Sequence, residues 1–172
     1  HNLLEKRSIE AYSGLAFRQL KIDEYIQENW NYIQEKVFIL SAFYGITCGT
    51  CKIKKHRLDF SIKLFEDVSL YKFWSEYVNS FFSENETIIN LASSEYSKLI
   101  DKKRVDFINI DFYENKELKQ ISANSKKARG EMLNLLIKNQ IENIKVIKTL
   151  KLKEYSYNRE LSSNNNLVFI KD

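Results

Sequence analysis

Proline is absent from this 172-residue chain, glycine occurs four times and cysteine twice, and no apolar run approaches the ~18 residues of a membrane-spanning helix. No membrane-spanning helix is therefore expected within these residues. With no basic-then-apolar leader at the start, the expected location is the cytoplasm, with no membrane partner. The sequence contains no Ser-His-Asp arrangement, P-loop or G-x-G-x-x-G, so no catalytic motif or cofactor site is expected. The shortage of proline beside abundant Asn, Ile and Lys reads as coding bias towards A/T-rich codons. Against that background each Arg stands out, because its planar five-donor fork does what Lys cannot.

A chain of this length buries on the order of 70% of its unfolded surface, so one domain over residues 1–172 needs no disulfide staples. The net charge is +4 and the pI near 8.9, which favours a polyanionic partner only mildly and points to a basic patch rather than a basic tail. His1 is not an initiator Met, so further sequence is expected upstream.

Apolar spacing outlines the elements. Tyr25, Ile26, Trp30, Ile33 and Val37 recur at helical spacing and predict a helix from about Asp23 to Lys36, as Leu70, Phe73, Trp74, Tyr77, Val78 and Phe81 do over Leu70–Phe82. Short helices are also expected at the start of Ser8–Leu20, over Ser94–Ile100 and over Ile144–Leu150. Val37–Ala42, Thr87–Leu91, Tyr155–Tyr157 and Leu167–Ile170 read as strands, and Thr47–His56 as loop. Val105–Phe112 and Leu118–Ser122 read as a β-hairpin around Glu114-Asn115-Lys116. The sum is an α+β fold with a mixed sheet flanked by helices.

The most informative stretch is Ser125-Lys126-Lys127-Ala128-Arg129-Gly130, which predicts the start of a long helix ending near Asn139. Each cation in a first helical turn costs roughly 0.3–1 kcal/mol against the helix dipole. Bare amides plus cations there describe an anion site, most naturally for phosphate. A glycine inside the helix costs roughly 1 kcal/mol against Ala, which makes sense if another backbone or a ligand approaches closely.

Lys98, Lys102, Lys103 and Arg104 form a second basic cluster, able to line one groove with the first and contact successive phosphates. Asn90, Ser93, Glu95 and Tyr96 fall where a strand hands over to a helix, a common ligand position. Ser93 or the adjacent Ser94 is also explained as the helix N-cap. Cys48-Gly49-Thr50-Cys51 is open to three readings: a redox pair, three zinc ligands with His56, or two reduced thiols in a loop. The absence of a second C-x-x-C or H-x-x-H favours the last, and no metal site is expected.

Ile39-Leu40-Ser41-Ala42-Phe43-Tyr44-Gly45 with Arg57-Leu58-Asp59, Leu70-Tyr71-Lys72-Phe73-Trp74, Ile89-Asn90-Leu91-Ala92-Ser93-Ser94-Glu95-Tyr96, and Ser125–Gly130 with Leu161-Ser162 and Val168-Phe169 occur in that order. Together these stretches resemble the YaaA family of peroxide stress-response proteins, over the C-terminal two-thirds of the family length. The resemblance implies a cytoplasmic protein that limits iron-dependent oxidative damage and binds DNA through a basic cleft, with a helix-hairpin-helix element and an opening strand upstream of His1. It also implies that Arg57 contacts phosphate or a partner. Family members carry Arg-Pro and an acidic residue where Cys48, Gly49 and Cys51 stand, and Pro-Tyr where Lys55-His56 stands.

The expected partner is therefore double-stranded or distorted DNA, contacted by Arg57, Lys98, Lys102, Lys103, Arg104, Lys126, Lys127 and Arg129, with binding rather than catalysis as the leading reading. The alternative is an enzyme acting on a nucleotide or nucleic-acid base. In that reading Glu95 serves as acid or base, flanked by Asn90 and Tyr96, while Lys126 and Arg129 hold the phosphate of a small ligand.

Overall fold

The computed structural model describes residues 4–65 and 68–171. In chain order the elements are β1 (Glu5–Arg7), α1 (Ser8–Ala11), α2 (Gln27–Lys36), β2 (Phe38–Ser41), β3 (Gly45–Cys48), β4 (Lys52–Lys54), β5 (Lys63–Phe65), β6 (Val68–Ser69), α3 (Leu70–Ser80), β7 (Thr87–Asn90), α4 (Ser94–Ser97), β8 (Asp106–Tyr113), α5 (Ser122–Asn139), α6 (Ile144–Ile147), β9 (Tyr155–Tyr157) and β10 (Asn166–Lys171). The described residues form two compact units. One comprises 4–12, 33–65, 68–88 and 92–107; the other comprises 13–32, 89–91 and 108–171.

In the first unit, β2 and β3 pair as an antiparallel hairpin with Leu40 opposite Ile46, and β1 pairs with β4. The hairpin turn explains the Ala-Phe-Tyr-Gly motif. Gly45 has φ +72°, a region that L side chains avoid, and a Cβ there would lie 2.6 Å from the Trp74 ring. Trp74, on α3, also donates its Nε1–H to the Ala42 carbonyl at 2.9 Å. The helical apolar spacing of α3 thus clamps the turn, while Ser69 caps that helix by accepting the Lys72 N–H. Leu70, Val78, Phe60, Leu99 and Phe107 complete this core. Burial of each large side chain contributes roughly 1.5–3 kcal/mol.

The second unit is organised around the sheet ordered β7-β8-β10-β9, in which β10 runs parallel to β8 and antiparallel to β9. This is the mixed sheet and α+β class that the sequence predicts. Ile108, Ile110 and Phe112 of β8 and Leu167 and Phe169 of β10 pack with Ala128, Met132 and Leu136 of α5. Asn29, buried on α2, donates to the Ile137 carbonyl at 2.9 Å and accepts from the Ile26 N–H. Asn134, buried on α5, accepts from the Tyr25 hydroxyl at 2.8 Å and the Lys21 N–H at 3.0 Å.

Three expectations are corrected. Leu118–Ser122 is not a strand: Leu118 adopts φ +59° and α5 already begins at Ser122, so β8 takes β7 and β10 as neighbours rather than a hairpin partner. Thr47–His56 is not simply loop, since it carries the end of β3 and all of β4. The helix expected from about Asp23 is split into a 3-10 turn over Ile22–Glu24 and then α2.

Candidate functional site

The helix expected to start at Ser125 begins earlier, so its cations do not stand at a helix start. α5 starts at Ser122, so Lys126, Lys127 and Arg129 lie beyond its first turn, where each N–H already has a carbonyl four residues back. Ser125, expected to open the helix, is buried inside it and donates its hydroxyl proton to the Phe112 carbonyl at 3.1 Å. Gly130 is explained by another backbone: a Cβ there would sit 2.7 and 2.8 Å from the carbonyl carbon and Cα of Ala16.

The three cations of α5 then part company. Lys126 and Lys127 are exposed, whereas Arg129 is half-buried beside Asp111 and Tyr113 of β8. Burial pulls the Arg129 guanidinium down from its ordinary value, and Asp111 and Tyr113 push it back up. Its Nε is buried with no hydrogen-bond partner, an open donor that costs free energy until an acceptor arrives. In the same unit an asparagine row crosses three strands: Asn90 donates to Asn109 at 2.7 Å, and Asn109 to Asn166 at 3.2 Å.

In the first unit the 98–104 cluster borders a shallow depression of about 350 Å³ lined by Ser75, Glu76, Asn79, Lys98, Asp101 and Arg104. Asn79 fixes this edge by donating to the Leu99 carbonyl and accepting from the Asp101 N–H. Lys98, Lys102, Lys103 and Arg104 are all exposed, and Lys102 sits 4.6 Å over the Phe107 ring. Among the described residues none of Lys98, Lys102, Lys103, Lys126 and Lys127 forms an ion pair.

Of the strand-to-helix set, Ser93, Glu95 and Tyr96 belong to this first unit and Asn90 to the second. Ser93 occupies the N-cap of α4 without a side-chain cap bond. The Glu95 carbonyl accepts from the Tyr71 hydroxyl at 3.0 Å, and Tyr96 packs edge-on against Phe60. Burial raises the Tyr96 phenol, reinforced by Glu95 and Asp59. Asp59 is held below the ordinary carboxylate range, first by the Ser61 hydroxyl and N–H and then by the nearby Arg57. Arg57 itself is exposed.

Sequence reasoning missed a polar set beside these residues: Tyr12, Ser41, Tyr44 and His56. His56 Nε2 lies 3.2 Å from Ser41 Oγ and Nδ1 lies 3.1 Å from the Lys54 carbonyl, while its ring stacks on Phe43. With Nδ1 protonated towards that carbonyl, Nε2 accepts the Ser41 proton. Ser41 Oγ also accepts from the Phe43 and Tyr44 N–H groups and is 2% exposed, so it locks the turn and offers no nucleophile to a substrate. The available signal was the departure from the family pattern at Lys55-His56.

The C-x-x-C reading is corrected as well, because Cys48 and Cys51 are joined in a disulfide rather than held as two reduced thiols. Among the described residues no helix is long and apolar enough to cross a membrane, and no group of three His, Cys, Asp or Glu side chains gathers as metal ligands.

The comparisons agree with the motif reading. A family model described as peroxide stress protein YaaA matches residues 1–161. A UPF0246 protein of Fusobacterium nucleatum is 39% identical over 168 residues, covering 94% of this chain and 67% of the relative. UPF0246 proteins of Francisella philomiragia and Legionella pneumophila are each 36% identical, over 97% and 93% of this chain and 70% and 67% of their own lengths. Sequence motifs, family match and relatives converge, and the chain belongs to the YaaA, or UPF0246, family of peroxide stress proteins.

Proposed function

We propose that this protein is a cytoplasmic stress-response protein that binds double-stranded or distorted DNA through its exposed cations and thereby helps limit iron-dependent damage. The observation that carries the reading is the set of exposed lysines, Lys98, Lys102, Lys103, Lys126 and Lys127, left without carboxylate partners among the described residues. A protein with +4 net charge has carboxylates enough to pair its surface lysines; lysines that form no ion pair leave their charge available to a polyanion. Arg104 and Arg57 add exposed forks, and the open Nε of Arg129 is a donor that a phosphate oxygen would satisfy.

Contacts of this kind read phosphates rather than base edges, so affinity is largely independent of sequence. Cations condensed on the duplex are released as lysines replace them. Ferrous ions held at the backbone would leave with the rest, which connects DNA binding to protection from peroxide.

Fluorescence anisotropy with two labelled duplexes of unrelated sequence tests the reading. Similar affinities for both at low salt are expected. An absence of binding to either duplex at low salt would remove the proposal, and a large preference for one sequence would replace phosphate contact with base readout.

A further inference from the structure

We propose that Cys48-Gly49-Thr50-Cys51 is a reversible dithiol–disulfide couple that exchanges electrons with an external dithiol, entered through Cys51. The proposal stands apart from the DNA-binding reading and uses only residues of the first unit.

The two sulfurs are bonded across a separation of three residues, with Cα atoms 5.2 Å apart. A bridge closing so short a loop removes little entropy from the unfolded chain, which makes it a weak structural staple. The turn has other supports. Gly49 donates its N–H to the Val37 carbonyl at 2.7 Å, and the Gly49 carbonyl accepts from the Ile9 N–H at 3.0 Å. The Cys51 carbonyl accepts from the Ser8 N–H at 2.8 Å, the Cys51 N–H donates to the Cys48 carbonyl at 3.1 Å, and the Ser8 hydroxyl donates to the Cys48 carbonyl. These bonds hold both cysteines in register whether or not the sulfurs are joined, which is what a reversible couple needs.

The two sulfurs are also unequal. Cys51 is exposed and Cys48 half-buried, and the Thr50 hydroxyl lies 3.6 Å from Cys48 Sγ. An incoming thiolate therefore attacks Cys51 Sγ. The sulfur–sulfur bond breaks and Cys48 Sγ leaves with the electron pair, as a thiolate to which Thr50 donates a hydrogen bond before a proton arrives. The second thiol of the external dithiol, as thiolate, then attacks its own sulfur in the mixed disulfide and expels Cys51 as a thiolate, which is protonated. Two electrons and two protons pass to the protein, and the external dithiol leaves as a disulfide. No third cysteine exists in this chain to divert the exchange.

The test equilibrates the intact protein with dithiothreitol at graded ratios of reduced to oxidised reagent, then counts alkylated cysteines by mass spectrometry. Both cysteines are expected to convert together in one two-electron transition, with the circular dichroism spectrum and urea midpoint retained on each side. A bond that resists reduction until urea unfolds the chain, or a reduced form that loses the native spectrum, overturns the proposal in favour of a structural staple. A second measurement follows single-cysteine variants reacting with an aromatic disulfide reagent. The Cys48→Ser protein, which keeps the exposed thiol, should react at least about tenfold faster than Cys51→Ser. Equal rates, or the reverse order, overturn the assignment of Cys51 as the entry point.

Discussion

Gly130 of α5 packs against the backbone of Ala16 so closely that a methyl group on it would overlap the Ala16 carbonyl oxygen. The obstacle is main chain, which cannot rotate away. Replacing Gly130 by Ala gains about 1 kcal/mol of helix propensity but incurs an overpacking penalty of typically 1–3 kcal/mol, at its upper end or beyond when backbone must move. Net destabilisation is expected for Gly130→Ala, read as a lower urea midpoint. Gly14 is the matched control: nothing lies within 4 Å of a Cβ built there, so Gly14→Ala should be neutral or stabilising by about 0.4–1 kcal/mol.

Asn134 offers a second test of how the second unit is tied together. Its side-chain oxygen serves both the Tyr25 hydroxyl and the Lys21 N–H, so Asn134→Ala orphans the buried hydroxyl at about 1–3 kcal/mol and, at less cost because Lys21 is exposed, the N–H. In that background Tyr25→Phe should cost less than it does in the unaltered protein, because it removes one of the orphans. A double-mutant cycle by denaturant unfolding measures the difference, and strict additivity would show the bond to be idle.

Stability should fall at both ends of the pH scale for identifiable reasons. Burial alone would raise the Glu114 carboxyl, but hydrogen bonds from Tyr155 and Asn124 and the charge of Lys171 outweigh it and hold the group low. A depressed folded value means that Glu114 contributes fully above its unfolded value, and that this contribution is lost as pH falls through the folded one. Tyr25 is the opposite case. Burial pushes its phenol up to about 12, so its contribution is complete below about 10 and disappears as pH rises towards 12. Urea midpoints across pH should show Glu114→Gln flattening the acid limb and Tyr25→Phe flattening the alkaline limb.

Much of the fold is legible wherever burial is periodic. The spacing of Leu70, Trp74 and Val78 announces α3, and the apolar runs around Ile39 and Ile89 announce β2 and β7. What escapes is set by distant partners. The parallel neighbour of β8 is β10, more than fifty residues later, and no local alternation encodes that choice. Ser125 reads as the start of the long helix, but the Phe112 carbonyl that takes its hydroxyl proton holds it a turn inside α5. His56 reads in the sequence only as an optional zinc ligand, because its partners, Ser41 and the Lys54 carbonyl, are brought to it by the β2–β3 turn and the end of β4. The basic clusters were legible, since exposed lysines need no partner to be recognised.

The central claim, that unpaired surface lysines bind DNA by displacing its counterions, is tested most directly by the slope of log affinity against log salt concentration for a duplex. That slope is about −0.9 per phosphate neutralised. Replacing Lys102 and Lys103 together by Ala, or Lys126 and Lys127 together, should weaken binding and make the slope shallower by up to about two such increments per pair. Affinity and slope unchanged in both double variants would contradict the account.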